Sequence, residues 1–126
     1  MSLLHGMLGN ATEIDAKQVT KELEHVLITG EKVDKAYLII RDMMVFTPKR
    51  LILVDKQGVT GKKVEYFSIP WEHIIAFATE TAGSLDLDAE LKIIIRGSQF
   101  PVVKKFKKGS NIEAVQKALA EYVLKN

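Results

Sequence analysis

The chain reads as a mainly β protein of seven strands set between two helices. Three observations carry that reading. From Glu31 to about Lys108 the sequence is rich in Val, Ile, Tyr, Phe and Thr, with turn residues every eight to twelve positions, the rhythm of an all-β barrel or sandwich. The stretch 85–96 alternates apolar and polar residues with period two, which puts one set of side chains on each face of a strand. The C-terminal end switches to apolar residues at steps of three and four, and those near the N-terminal end fall roughly on one helical face, the patterning of amphipathic helices.

At the N-terminal end, Ile14, Val19, Leu23, Val26 and Leu27 share one helical face, and Lys17, Lys21, Glu22 and Glu24 fall away from it. Thr12-Glu13-Ile14-Asp15 has capping-box spacing and Gly30 is a natural stop. The expected helix therefore covers about 12–28. Strands are expected near 32–41, 42–47, 50–56, 62–69, 73–82, 86–96 and 100–107, divided by turns that contain Pro48, Gly58, Gly61, Pro70, Gly83 and Gly97. In the sixth strand, Leu85, Leu87, Ala89, Leu91, Ile93 and Ile95 should face a core. Leu38-Ile39-Ile40 and Leu51-Ile52-Leu53-Val54 are apolar on both faces and need cover on both; the terminal helices or another subunit could supply it. Ser110-Asn111-Ile112-Glu113 matches the capping box S-x-x-E and opens a helix over about 111–124, with Ile112, Val115, Leu119, Tyr122 and Val123 on its inner face.

Length and composition narrow the function. The 126 residues suit one domain: an N-terminal extension and helix over 1–30, a β body over 31–108 and a C-terminal helix over 110–124. There is no cysteine, so disulfides, thiolate metal sites and a cysteine nucleophile are excluded, and a reducing, cytoplasmic setting fits. Net charge is +2, divided into −2 over the first thirty residues and +4 over the rest, too little for a nucleic-acid binder by bulk electrostatics. No apolar run reaches the roughly 18 residues of a membrane span. The start, MSLLHGMLGN, lacks the basic region of a signal peptide. Its Leu3, Leu4, Met7 and Leu8 would form an apolar helical face, read here as a candidate contact in an oligomer.

Several motifs invite chemistry and fall short of it. Gly58-Val59-Thr60-Gly61-Lys62-Lys63 has two residues between its glycines, where a phosphate-binding loop needs four, and a strand pattern follows in place of a helix. It is a hairpin turn with a small basic tip. Asp86, Asp88 and Glu90 share a strand face but lack the glycine and flanking helices of a calcium loop. They are expected to be the wet side of an amphipathic strand. Lys104-Lys105-Phe106-Lys107-Lys108 is read first as an edge strand guarded by lysines. With Lys62 and Lys63, these lysines form the candidate surface for an anionic lipid or another acidic partner. His5, His25 and His73 show no metal-ligand spacing, and no G-x-S-x-G nucleophile motif occurs. Trp71, Phe67 and Tyr66 form the main aromatic cluster, and most of it is expected in the core. No cofactor, metal or catalytic residue is assigned.

The order of seven strands and one C-terminal helix is that of the pleckstrin homology (PH) superfold. The segments AYLIIRDMMVFTPKRLILVDKQGVTGKKVEYFSIPWEHI (36–74) and TETAGSLDLDAELKI (79–93) resemble the bacterial PH domain family. Phe46-Thr47-Pro48-Lys49-Arg50-Leu51-Ile52 stands where that family opens its third strand, and Ser68-Ile69-Pro70 where it ends the fourth. The resemblance runs from about Met7 to Leu124. It implies a partly open barrel of two near-orthogonal sheets capped by the C-terminal helix, and a homo-oligomer, rings included; protein or peptide partners at strand edges are expected separately, from the strands apolar on both faces. It does not imply inositol-phosphate binding: the basic first hairpin loop of lipid-binding PH domains is replaced here by Arg41-Asp42, one base beside an acid.

Overall fold

The computed structural model describes residues 13–39, 42–57, 63–80, 89–106 and 111–125. The chain divides between Ser68 and Ile69 into two compact units. Its strands form two antiparallel sheets rather than one closed barrel: five strands in the order β1-β2-β3-β4-β5, and three in the order β6-β7-β8.

In the first unit, β1 (Glu13–Ile14), α1 (Ala16–Glu22), β2 (Lys35–Ile39), β3 (Asp42–Phe46), β4 (Arg50–Gln57) and β5 (Lys63–Pro70) follow in chain order. The helix is shorter than the expected 12–28 at both ends. Glu13 and Ile14 pair with Tyr37 and Ala36 as an added edge strand, and Asp15 is itself the N-cap, its carboxylate accepting the Lys17 N–H at 3.1 Å. Ile14 reaches the core all the same, because its strand face and Ala36 look the same way. Beyond Leu23 the backbone turns without continuing the α-helix, and Val26 N–H and Leu27 N–H both return to Leu23 O. Gly30 then takes φ +85°, a value cheap only for glycine.

The register explains why strands apolar on both sides are stable here. Ala36, Val45 and Ile52 are consecutive partners across β2, β3 and β4. Together with Met43, Val54 and Val33 they meet Val19 of α1 and its C-cap Leu23 in one buried cluster, joined by Ile14, Val26, Leu27, Leu38 and Val64. α1 thus covers one face of the sheet. Residues of the opposite parity, Tyr37, Met44, Phe46, Leu51 and Leu53, are also buried, and Tyr37 meets Phe46 edge to face at 5.6 Å.

In the second unit a 3-10 turn (Trp71–His73) leads into β6 (Ile74–Glu80), β7 (Ala89–Ile95), β8 (Val102–Phe106) and α2 (Ile112–Val123). Alternation in β7 is as expected over the part described, with Leu91 and Ile93 buried and Lys92 and Ile94 exposed. The turn between β7 and β8 uses Gly97 at φ +83° and a Ser98 N–H bond to Ile95 O. α2 begins one residue later than the expected box: Asn111 is the N-cap, its amide oxygen accepting the Ala114 N–H at 3.1 Å, and Ser110 lies outside the described residues. The helix lies along β6 and the 3-10 turn. Trp71 is buried and stacks on Tyr122 at 4.7 Å. Tyr66 and Phe67, expected in the core with it, are exposed instead. They sit on β5, which among the described residues is the last strand of the five-stranded sheet.

Candidate functional site

The best-built polar constellation among the described residues joins the loop after α1 to the β3–β4 hairpin. Its centre is Glu31, whose side chain is fully buried. Arg50, the first residue of β4, grips it with a two-pronged fork: Nε donates to Oε2 at 2.9 Å and Nη2 to Oε1 at 2.8 Å. Thr47 Oγ1 donates to Oε2 at 2.7 Å, and the Ile28 N–H donates to Oε1 at 3.1 Å. Each carboxylate oxygen therefore accepts two bonds. Arg50 also donates from Nη2 to Val26 O at 3.0 Å and from Nη1 to Ser68 Oγ at 2.9 Å.

The local sequence makes this geometry. Thr47 closes the hairpin turn by donating its N–H to Arg50 O, while its hydroxyl accepts the N–H groups of Lys49 and Arg50, each at 3.1 Å. Pro48 suits such a turn because its φ is fixed. The hydroxyl proton is then free to point at Glu31. Three separate segments, 26–31, 47–50 and Ser68, are tied by one guanidinium.

Electrostatics follow from the bonds. The Arg50 hydrogen bonds hold the Glu31 carboxyl at about 2, below its ordinary 4.5, with Thr47 and the Ile28 N–H adding to the effect and burial opposing it. The same pairing raises Arg50. Glu31 is thus a permanent, acceptor-saturated anion at neutral pH. It has no lone pair left for a proton in transit, so the constellation is a clamp and not an acid–base pair. An open cleft of about 500 Å³ beside it is bordered by Lys17, Lys21, Glu24 and Ile28. Its charges are mixed and exposed.

The described lysines of the candidate basic surface lie on different strands, Lys63 on β5 and Lys104 and Lys105 on β8. Lys63 is exposed at the start of β5. Lys49 precedes the first residue of β4, and Arg50 reaches Ser68, toward the opposite end of β5 from Lys63. On β8, Lys104 is opposite Leu91 and half-buried, whereas Lys105 is opposite Glu90 and exposed on the other face. Lys62, Lys107 and Lys108 lie outside the described residues, as do Leu3, Leu4, Met7 and Leu8 and the acids Asp86 and Asp88. Among the described residues no group of His, Cys, Asp and Glu could hold a metal ion. His25 stands alone against Tyr66, with Nε2 at 3.3 Å from the phenol oxygen. His73 is exposed, and its carbonyl accepts the Arg96 N–H.

Sequence reasoning missed the clamp. Thr47 and Arg50 were visible in the FTPKR motif, but Glu31 is nineteen positions away from Arg50, and nothing local marks it for burial. The available signal was an isolated acid between Gly30 and an apolar strand.

Two antiparallel sheets, a C-terminal helix and an N-terminal helix define a PH-like protein. The chain belongs to the bacterial PH domain family, whose model matches residues 2–123. It is 54% identical over 121 residues to the uncharacterized protein YjqA of Bacillus subtilis (strain 168), covering 95% of this chain and 97% of that one. The solved pleckstrin homology domain from Shewanella amazonensis SB2B superposes with a TM-score of 0.84 at 49% identity, over 95% of this chain and 97% of that one. A DUF1696 family protein with a pleckstrin-homology domain from Shewanella loihica PV-4 gives 0.77 at 49% identity, over 88% and 95%. Among the described residues no helix is long and apolar enough to cross a membrane.

Proposed function

We propose that this chain is a non-catalytic interaction module that works in the cytoplasm by associating with copies of itself and, through strand edges, with protein or peptide partners. The observation that carries the reading is the state of β5. It is eight residues long, it borders the five-stranded sheet, and it leaves Tyr66 and Phe67 exposed. An edge of that kind offers unpaired N–H and C=O groups beside apolar side chains, which is what strand addition uses. Leu3, Leu4, Met7 and Leu8 are the candidate contacts added by the N-terminal segment. The saturated clamp leaves the most elaborate polar cluster with a holding role. Light scattering at micromolar concentration tests the reading: a mass of two or more chains is expected, and a clean monomer sinks it.

A second reading is a peripheral binder of anionic lipid or another acidic surface through Lys62, Lys63, Lys104, Lys105, Lys107 and Lys108. The exposed Lys63 favours it; Lys104 and Lys105, on opposite faces, weigh against a single basic patch. Co-sedimentation with phosphatidylserine vesicles separates the two readings. Salt-sensitive binding that is lost in the Lys62→Glu/Lys63→Glu double variant supports the lysine surface.

A further inference from the structure

The cleft of about 500 Å³ beside the clamp has two walls of different chemistry. One wall is α1 and the turn of chain that ends it. Lys17, Thr20, Lys21 and Glu24 line it, at steps of three and four that make one stripe along a helix. The other wall is the segment that follows, with Leu27, Ile28 and Thr29. Both walls are held by the protein's own bonds. Thr20 Oγ1 donates to Ala16 O at 2.8 Å and accepts the Val33 N–H at 3.1 Å. Arg50 holds Val26 O, and Glu31 holds the Ile28 N–H. A pre-formed cleft of this size falls in the range of small-molecule sites, roughly 300–1,000 Å³.

Those bonds sort the bordering groups by what each can still offer. The Thr20 hydroxyl and the Glu31 carboxylate are engaged with protein partners. The Lys17 and Lys21 ammonium groups are not. Among the described residues neither has a carboxylate at ion-pair distance, although Glu24 follows Lys21 on the same wall. Asp15, next to Lys17, is turned to the Lys17 backbone N–H as the N-cap. Like charges four residues apart on one helical face repel, and a helix of seven residues has little stability of its own to offset that. An anion seated between the two lysines relieves the repulsion. The facing wall is apolar: Leu27 is half-buried and Ile28 is 56% exposed. A single exposed isoleucine is ordinary on a protein surface. This one borders the same cleft as two unpaired cations.

We propose that this cleft binds a small monocarboxylate with an apolar body. The carboxylate lies between Lys17 and Lys21, and the apolar part lies against Leu27 and Ile28. Charge-assisted hydrogen bonds favour the acid anion over a neutral molecule of the same shape. Glu24, beyond Lys21, repels a second negative charge, so a monoanion is preferred to a dicarboxylate. The bound acid bridges α1 to the segment after it and therefore stabilises the folded chain by mass action. This site goes beyond the interaction reading and does not depend on self-association.

Saturation-transfer NMR titration of the full chain tests the site, with hexanoate as the probe and hexanamide, acetate and adipate as comparisons. Hexanoate should bind in the millimolar range, and each comparison compound should bind about fivefold or more weakly than it. The Lys17→Gln/Lys21→Gln variant should weaken hexanoate about tenfold and leave hexanamide unchanged. Ile28→Ser should weaken hexanoate about fivefold and leave acetate unchanged. All three substitutions are at exposed positions, and circular dichroism melts check that the variants fold. Hexanoate that fails to bind, or that binds the double lysine variant as well as the wild type, overturns the proposal. Equal binding of hexanoate and hexanamide overturns it too, since the lysines then take no part. Light scattering reads self-association separately, so failure here leaves the interaction reading standing.

Discussion

Two sheet faces in this protein are built from similar residues and end differently. The face of the five-stranded sheet that carries Ala36, Val45 and Ile52 is closed by Val19 of its own short helix and by that helix's C-cap, Leu23. The outer face of the three-stranded sheet carries Ala76, Ile94 and Val103, and among the described residues Ile94 and Val103 stay exposed there. The difference lies in what holds the cover. α1 has only seven residues, too few to be stable alone. The turn that follows it is tied to the β3–β4 hairpin by Arg50, through Val26 O and Glu31. The three-stranded sheet has its own helix, α2, which packs on β6 and the Trp71 turn. A buried charge pair therefore accompanies the closed face, and exposed charges of both signs accompany the open one.

Breaking the clamp should have the largest effect. Arg50→Met leaves Glu31 buried without its partner and should cost about 3–5 kcal/mol, the usual penalty for an uncompensated buried charge. Urea unfolding measures it. Loss of a few tenths only would mean that Glu31 escapes to water and that the clamp does not hold the helix. Leu23→Ala, which opens the closed face without touching charge, should cost about 2–5 kcal/mol by loss of burial plus a cavity. In the double variant the two costs should fall short of additive, because both act on the seating of the same segment.

Acid should act on the closed region in a defined window. The folded Glu31 carboxyl sits at about 2, below its ordinary 4.5. Its stabilisation is therefore complete above the unfolded value and is lost as pH falls from about 4.5 toward 2. The shift corresponds to about 3 kcal/mol at neutral pH. Melts between pH 6 and 2 should show this loss in the wild type, and a flatter profile in the Glu31→Gln/Arg50→Met double variant. Equal slopes would assign acid sensitivity to other carboxylates.

The smallest stability effect belongs to the open face. Ile75→Ser, at a position 57% exposed, should change unfolding free energy by about 0.5 kcal/mol or less at dilutions where the chain is monomeric. A loss comparable to Leu23→Ala would show that Ile75 belongs to the core and that the two faces are not different in kind.

Much of the fold is legible in the sequence because it depends on short-range periodicity. All seven expected strands occur, and α2 runs from Ile112 to Val123 against the expected 111–124. Burial of Leu91 and Ile93 follows from alternation alone. The misreadings are those in which a distant partner outweighed a local pattern. Ile14 falls roughly on the helical face of Val19 and Leu23, yet its backbone pairs with β2. Tyr66 and Phe67 are aromatic residues in a strand, yet among the described residues that strand is the last of its sheet.

By itself the sequence determined the order and kind of the elements, the membership of a PH-like family, and the failure of GVTGKK as a phosphate loop. The elements and the failed motif rest on spacing within a dozen residues or so, where helix and strand geometry impose their own periods; the family rests on a resemblance that runs along most of the chain. Tertiary structure alone decided that Glu31 meets Arg50 and that one apolar face is covered while another is left open. Those outcomes depend on which segments meet across tens of residues, and on the desolvation of charge that follows when they meet. No local pattern encodes that cost before the chain has folded.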